Sequence, residues 1–481
     1  MTLFSCAISA ANFSCSPAIS RITPRPGPEQ QVPPAVPTLW ARTLTPFQAS
    51  GGPSVALDPI GDILVYGGFD QPADFGTGVL TPQAGDLFLL RYSADGVIQA
   101  ARKFGGTGWE LPGSFAIDAS GNIYLSGTFT SSINWGAPSL LTCPSAGGCR
   151  FIVKLDSSGN WSSALSWQTA VSGAADAFAL SVRPSTGEVG LAGNFSQTLS
   201  VGGVSITGQI GQSGFAAKLD ATGAISWIQN FSVAPSSPAR TSAPVFASNG
   251  DLIVAGQFNG SAQFTGGSLH SSALGQSGFV TRLRGSNGSE LWFSQLSGTA
   301  PAAPSNGAVY ALALNASDDP LVTGGFTGTV SWPSGSTHAS AGNNDIWVAR
   351  LDAATGGELW SRAFGGSGYD FGWSVAVDSL GAIVVSGRFQ DQIDFGGGRH
   401  VAIMSGAMGV ASDAFILKLT PSGVYNWSKV YSGTAIEVIG SLTIDPATRQ
   451  LVAGGSFYGG SLDYGIGSVA GARSFLVRLG P

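Results

Sequence analysis

A chain of 481 residues has material for two or three ordinary domains or for one large repetitive one, and a hydrophobic fraction of 43% suffices for a buried core. Only 10% of the residues are charged, against roughly 25% in ordinary globular proteins, while 70 glycines favour strands and turns over helical bundles. The formal net charge of -6 and the lack of any Lys or Arg run exclude the electrostatic footprint of nucleic-acid or anionic-membrane binding, and no apolar stretch is long enough for a transmembrane helix.

The chain starts MTLFSCAISA, where Leu3-Phe4-Ser5-Cys6 has the outline of a lipoprotein cleavage site without the basic patch and longer apolar run of an export signal. A truncated export signal and coincidence both fit. Residues 1–38 read as a tail: the prolines between Pro17 and Pro37 suit an extended tether. From residue 39 to residue 481 one pattern repeats.

An aromatic residue followed three positions on by a basic one recurs as Phe88/Arg91, Phe151/Lys154, Phe215/Lys218, Phe279/Arg282, Trp347/Arg350, Phe415/Lys418 and Phe475/Arg478. A second Phe, closing a run rich in small residues, recurs at Phe69, Phe129, Phe195, Phe258, Phe326, Phe389 and Phe457, interleaved with the first at a mean spacing of about 65 residues. Each unit holds four strand-length runs, as in WSVAVD, IVVSGRF, AFILKL and YNWSKVY. Short Asp- and Gly-bearing turns such as DSLGA and TPSG join the first run to the second and the third to the fourth. Longer, variable segments join the second to the third.

The last unit stops at SFLVRLGP, its third run, and the missing fourth run stands at the other end, where Leu39, Trp40 and Arg42 match Leu359, Trp360 and Arg362. A ring closes by that swap and leaves no open edge. The expected fold is therefore all-β: a seven-bladed β-propeller with four antiparallel strands per blade, the N-terminal strand completing the last blade. The unit resembles the bacterial SBBP, or seven-bladed β-propeller, repeat, most closely through FGGSGYDFGWSVAVDSLGAIVVSGRF, and the resemblance covers about residues 39 to 481. It implies a secreted or surface-anchored bacterial protein.

Two close cysteine pairs, Cys6 with Cys15 and Cys143 with Cys149, suggest disulfides formed in an oxidising compartment, and their spacing is not that of a zinc site. The loops leading into the inner strands place Glu110, Asp176, Asp370 and Glu437 around one mouth, with Trp109, Tyr369, Phe371 and Trp373 beside some of them. Such a mouth suits a cation or a glycan, since carboxylates attract the former and aromatic faces stack on sugars or cover cations. A bland reading stands beside it, in which each acid bonds backbone amides at a loop end. The basic residues of the third strand read as bridges between blades, the acids at Asp58, Asp118, Asp378 and Asp445 as turn residues, and His270, His338 and His400 as loop packing.

Asp352 to Trp360, with Thr355 and Gly356, resembles the docking element of quinoprotein propellers, but the other copies lack the Thr-Gly at this spacing. No nucleophile elbow, phosphate loop or metal-binding His pair is present. The expected function is that of an exported, non-enzymatic, monomeric module presenting one face to a protein, glycan or cationic ligand, with no cofactor beyond a divalent cation at the mouth. The alternative is an extracellular carbohydrate hydrolase or lyase using the mouth carboxylates.

Overall fold

The computed structural model describes residues 36–44, 52–136, 140–143, 148–172, 178–208, 212–233, 239–298, 306–333, 335–403, 412–433, 436–458, 461–463, 468–470 and 474–481. All of them lie in the unit formed by Ala35–Pro481. The described residues are strand, turn and coil, with no helix, and the strands pair as antiparallel meanders.

Ser54–Leu57, Ile63–Phe69, Asp86–Tyr92 and Ile98–Phe104 form a four-stranded sheet in chain order. The same order recurs in Asn306–Leu314 through Glu358–Phe364 and in Phe371–Val377 through Tyr425–Tyr431. Residues 110–172, 179–233 and 239–298 repeat it inside sheets of six and ten strands. Those sheets merge because the end of one meander's outer strand pairs with a hairpin of the next, as Phe231–Val233 do with Ala262–Phe264. In the sheet of Ile436–Ile444, Leu451–Tyr458 and Ser474–Leu479 the outer place is taken by Thr38–Leu44, which runs antiparallel to Ser474–Leu479. This is a propeller-like repeat of antiparallel meanders.

One cross-strand pair explains both sequence anchors. In each meander the aromatic residue of the third strand lies opposite the glycine two positions before the second-strand Phe: Phe88 opposite Gly67, Phe151 opposite Gly127, Phe215 opposite Gly193, Phe279 opposite Gly256, Trp347 opposite Gly324, Phe415 opposite Gly387 and Phe475 opposite Gly455. The ring needs that bare backbone, for a Cβ on Gly455 would stand 2.3 Å from Phe475 and one on Gly127 would stand 2.5 Å from Phe151. Both the ring and the neighbouring Phe are buried in every copy, each contributing roughly 1.5–3 kcal/mol by leaving water.

The segments between second and third strands, variable in sequence, are themselves ordered where described. Ala73–Asp74 with Val79–Leu80, Ser132–Asn134 with Leu140–Thr142, and Gln392–Asp394 with Arg399–Val401 are short antiparallel hairpins. Each has an aromatic residue next to its first strand, and that ring packs on the third-strand ring: Phe75 on Phe88 at 5.0 Å, Trp135 on Phe151 at 4.9 Å and Phe395 on Phe415 at 4.8 Å between centroids. The hairpins turn on Asp74 and Asp394, whose Oδ1 atoms accept from the amides two and four residues on.

Neighbouring meanders are tied through one carbonyl. Arg282 Nη1 and Trp292 Nε1 both donate to Ala353 O, at 2.9 and 3.0 Å. Arg350 and Trp360 likewise meet Pro421 O, and Lys218 and Trp227 meet Gly285 O. Arg478 Nη1 and Trp40 Nε1 meet Ala94 O in the same way.

Candidate functional site

The loops GGTGWE and GGSGYD each turn one residue outward and the next inward. Gly85 and Trp109 form a parallel bridge, as do Asn344 and Tyr369, so the chain crosses from one meander to the next in extended form. Glu110 N then donates to Gly85 O at 2.8 Å, Asp370 N to Asn344 O at 2.7 Å, and Glu437 N to Ser412 O at 2.8 Å. Side chains alternate along an extended chain. Trp109 and Tyr369 are accordingly 51% and 47% exposed, whereas Glu110, Asp370 and Glu437 have no accessible surface. The acids occupy the seams between meanders and present no surface to a ligand.

Each buried acid has a second one nearby, at the first position of the preceding third strand: Asp86 for Glu110, Asp345 for Asp370 and Asp413 for Glu437. The sequence carries this pairing as a D-x-[FW] motif followed some two dozen residues later by an acid, but only the fold brings the two together. The leading glycine of each loop is required by the acids: a Cβ on Gly105 would stand 2.3 Å from Asp86, one on Gly365 2.2 Å from Asp345, and one on Gly433 2.2 Å from Glu437. Asp370 is fixed by two amides, Gly366 N to Oδ2 and Gln390 N to Oδ1, both at 2.9 Å. Burial nevertheless pushes its carboxyl up to about 7. Burial, with the charge of Asp86 beside it, pushes Glu110 up to about 8. Asp345 and Asp413 are also raised, again by burial.

Beneath Tyr369 runs a ladder of aromatic rings. Tyr369 stacks on Phe371 at 6.5 Å, Phe371 on Trp373 at 5.4 Å, and Trp373 on Tyr310 of the adjacent meander at 4.7 Å, with planes within 27° of parallel. Tyr310 and Trp373 each stand at a register shift, between Val309 and Ala311 and between Gly372 and Ser374. A bulge re-aims the extra side chain, and here two bulges bring two rings face to face. Arg388 lies over Phe371 at 5.2 Å. The Trp373 indole N–H is buried without a partner among the described residues. Tyr310 was not a candidate from sequence, because nothing local marks a bulge.

The other chemistry-bearing residues have structural duties. Asp58, Asp118, Asp378 and Asp445 each cap their own turn through Oδ1, and Arg91, Lys418 and Arg478 ion-pair with Asp58, Asp378 and Asp445. His338 Nε2 meets Ser361 Oγ at 2.6 Å and His400 Nε2 meets Ser428 Oγ at 2.9 Å, pinning hairpin to sheet. His270 instead stacks on Phe293 at 3.6 Å and meets Glu290 at 3.1 Å. In the quinoprotein-like element, Asp352 Oδ1 accepts from Thr355 and Ala354 within its hairpin, and Trp360 reaches Pro421 O at 3.2 Å. Cys143 and Cys149 form a disulfide, with Cα atoms 5.6 Å apart. Asp176, Cys6 and Cys15 lie outside the described residues. Among the described residues no three His, Cys, Asp or Glu side chains converge as a metal site.

No protein-family model matches the chain. A stretch of 128 residues, 25% of the chain, is 27% identical to an uncharacterised WD repeat-containing protein of Acanthamoeba polyphaga mimivirus, of whose length it spans 9%. Among solved structures, the chain is similar to a protein of unknown function from Dyadobacter fermentans, at 12% identity and a TM-score of 0.38 over 82% of this chain and 98% of that one. It is similar also to the quinohemoprotein alcohol dehydrogenase of Comamonas testosteroni, at 8% identity and a TM-score of 0.41 over 92% and 76%. Likenesses this distant carry no activity across to this chain.

Proposed function

We propose that the meanders are the blades of a seven-bladed β-propeller of SBBP type, closed by Thr38–Leu44, and that the chain is an exported, monomeric, non-enzymatic module that binds a glycan at the mouth. Closure is supported by Arg478 and Trp40, which meet Ala94 O as Arg282 and Trp292 meet Ala353 O. Export is supported by the Cys143–Cys149 disulfide, a bond that belongs to oxidising compartments.

The binding reading rests on one observation: the mouth loops turn Trp109 and Tyr369 outward and their acids inward. A general acid or base must reach the proton it transfers, and carboxyls without accessible surface do not. Carboxyls that are buried and, in Glu110 and Asp370, raised by burial to about 8 and about 7 offer a cation little accessible negative charge, which weakens the case for a cationic ligand. What a ligand meets is aromatic surface, with Tyr369 heading the ladder of Phe371, Trp373 and Tyr310. Sugars stack on such rings by their apolar faces.

The test is isothermal titration against a panel of oligosaccharides. Trp109→Ala and Tyr369→Ala are expected to lose binding, whereas Asp370→Asn keeps it. Turnover of any glycan that Asp370→Asn or Glu437→Gln abolishes would establish the hydrolase or lyase reading instead.

A further inference from the structure

The seam between the 54–104 and 110–172 meanders buries two carboxyl groups against one ammonium group. Lys103 Nζ is bonded to Asp86 Oδ2. Glu110 Oε2 receives one long bond, from Gly106 N at 3.4 Å. Asp86 Oδ1 and Glu110 Oε1 are buried and have no donor among the described groups, while the two carboxyls lie within hydrogen-bonding reach of each other. With both acids ionised, Lys103 neutralises only one of two charges, and the two carboxyls keep buried oxygens without a donor. A single proton held between them removes the excess charge and supplies the missing donor.

We propose that this seam is a proton-operated latch: Asp86 and Glu110 share one proton across it, and loss of that proton to solvent frees the 105–110 loop that carries Trp109. The seam of Asp345 and Asp370 differs in the decisive respect. Asp370 is held through both oxygens by the amides of Gly366 and Gln390, so its loop keeps its anchors whether or not the carboxyl is ionised. Glu110 has no such pair of anchors.

The titratable groups acting on Glu110 are Asp86, on the third strand of the preceding meander, and Lys103, on its fourth; the first raises its pKa and the second lowers it. Burial is the larger cause, and together they place the folded carboxyl at about 8 where an ordinary one stands at 4.5. The folded state therefore binds more protons than the unfolded state across that interval, so stability falls as pH rises through it. The latch's contribution to stability is complete below 4.5 and is lost as pH rises through about 8, where the folded carboxyl gives up its proton. What opening releases is the bond from Glu110 N to Gly85 O, the bridge between Gly85 and Trp109, and the bond from Trp109 N to Thr130 Oγ1.

Hydrogen exchange of the 105–111 segment, corrected for the intrinsic pH dependence of exchange, reads the latch directly in the unliganded protein. Between about pH 6 and pH 9 the wild type is expected to lose protection there by about tenfold or more, with a parallel fall in its thermal midpoint. Glu110→Gln, which keeps the shape and offers Asp86 a permanent N–H donor, should remove this component of both changes. Lys103→Met should move the transition to higher pH, a displacement that a merely structural lysine would not cause. Equal profiles for wild type and Glu110→Gln, or protection of the segment that does not change with pH, would overturn the latch. Neither result bears on glycan binding, which is absent from the experiment.

Discussion

Arg478 Nη1 donates to Ala94 O at 2.9 Å across a separation of 384 residues. Its Nη2 holds Asp445 at 3.1 Å, and Trp40 Nε1 shares the Ala94 carbonyl at 3.0 Å. Arg282 does the same one interface at a time elsewhere, to Asp251 and Ala353 O at 2.9 Å each. If the join between the chain's two ends is one more interface of a ring, it should cost as much to break as an internal one. Arg478→Met leaves Asp445 without its cation in a buried place, and should lose about 3 kcal/mol by urea unfolding, close to the loss for Arg282→Met. An Arg478→Met loss below about 1 kcal/mol beside a large loss for Arg282→Met would count against closure.

The G-x-F anchor makes an independent demand on packing. Gly455→Ala directs a methyl group to 2.3 Å from the Phe475 ring and 2.5 Å from Val438 O, and neither can move without disturbing the sheet. The expected loss is about 2–4 kcal/mol, measured by denaturant unfolding. The double variant Gly455→Ala, Phe475→Leu should recover part of it, because the shorter side chain vacates the space over residue 455. No recovery would mean that the Val438 carbonyl, not the ring, is what forbids a side chain there.

The all-β meanders were legible in the sequence because their determinants are local: alternating runs, Asp-Gly turns and a repeated aromatic. The fourth run missing beside Ser474–Leu479 was legible too, since Leu39-Trp40-x-Arg42 matches its counterpart letter by letter. The outer hairpins were not. Their strands are two or three residues long in several copies, too short for any periodicity, and only the aromatic residue beside an Asp or Asn marks them. The seams of the site escaped for another reason. Glu110 and Asp86 lie 24 residues apart, and an acid in a Gly-rich loop looks exposed until the alternation of the chain around Trp109 is known.

Asp370 provides a second pH test with a different signature. Its folded pKa, about 7 because of burial, stands above the ordinary 3.8. Its contribution to stability is therefore complete below pH 3.8 and is lost as pH rises through 7. Asp370→Asn should flatten that part of the stability profile. It should also lower the acid-side plateau by about 1–2 kcal/mol, because two amides, those of Gly366 and Gln390, then compete for one carbonyl oxygen. A profile that keeps its slope in Asp370→Asn would place the titration on another group.

The disulfide stands at a strand position that carries an acid in three other meanders. Cys149 opens its third strand opposite Phe129, as Asp86 does opposite Phe69 and Asp413 does opposite Phe389, and it is equally buried. At that position the 54–104, 306–364 and 371–431 meanders place Asp86, Asp345 and Asp413, whereas Cys149 turns back to Cys143, only 6 residues away. A cross-link over so short a loop restricts few unfolded conformations, so its loss should cost about 2 kcal/mol. The Cys143→Ser, Cys149→Ser variant and the reduced wild type should therefore unfold at similarly lowered denaturant midpoints. A much larger loss for the serine variant than for the reduced protein would show that the buried position opposite Phe129 rejects a hydroxyl, and that apolar packing of the sulfur outweighs the covalent bond in holding this hairpin to its strand.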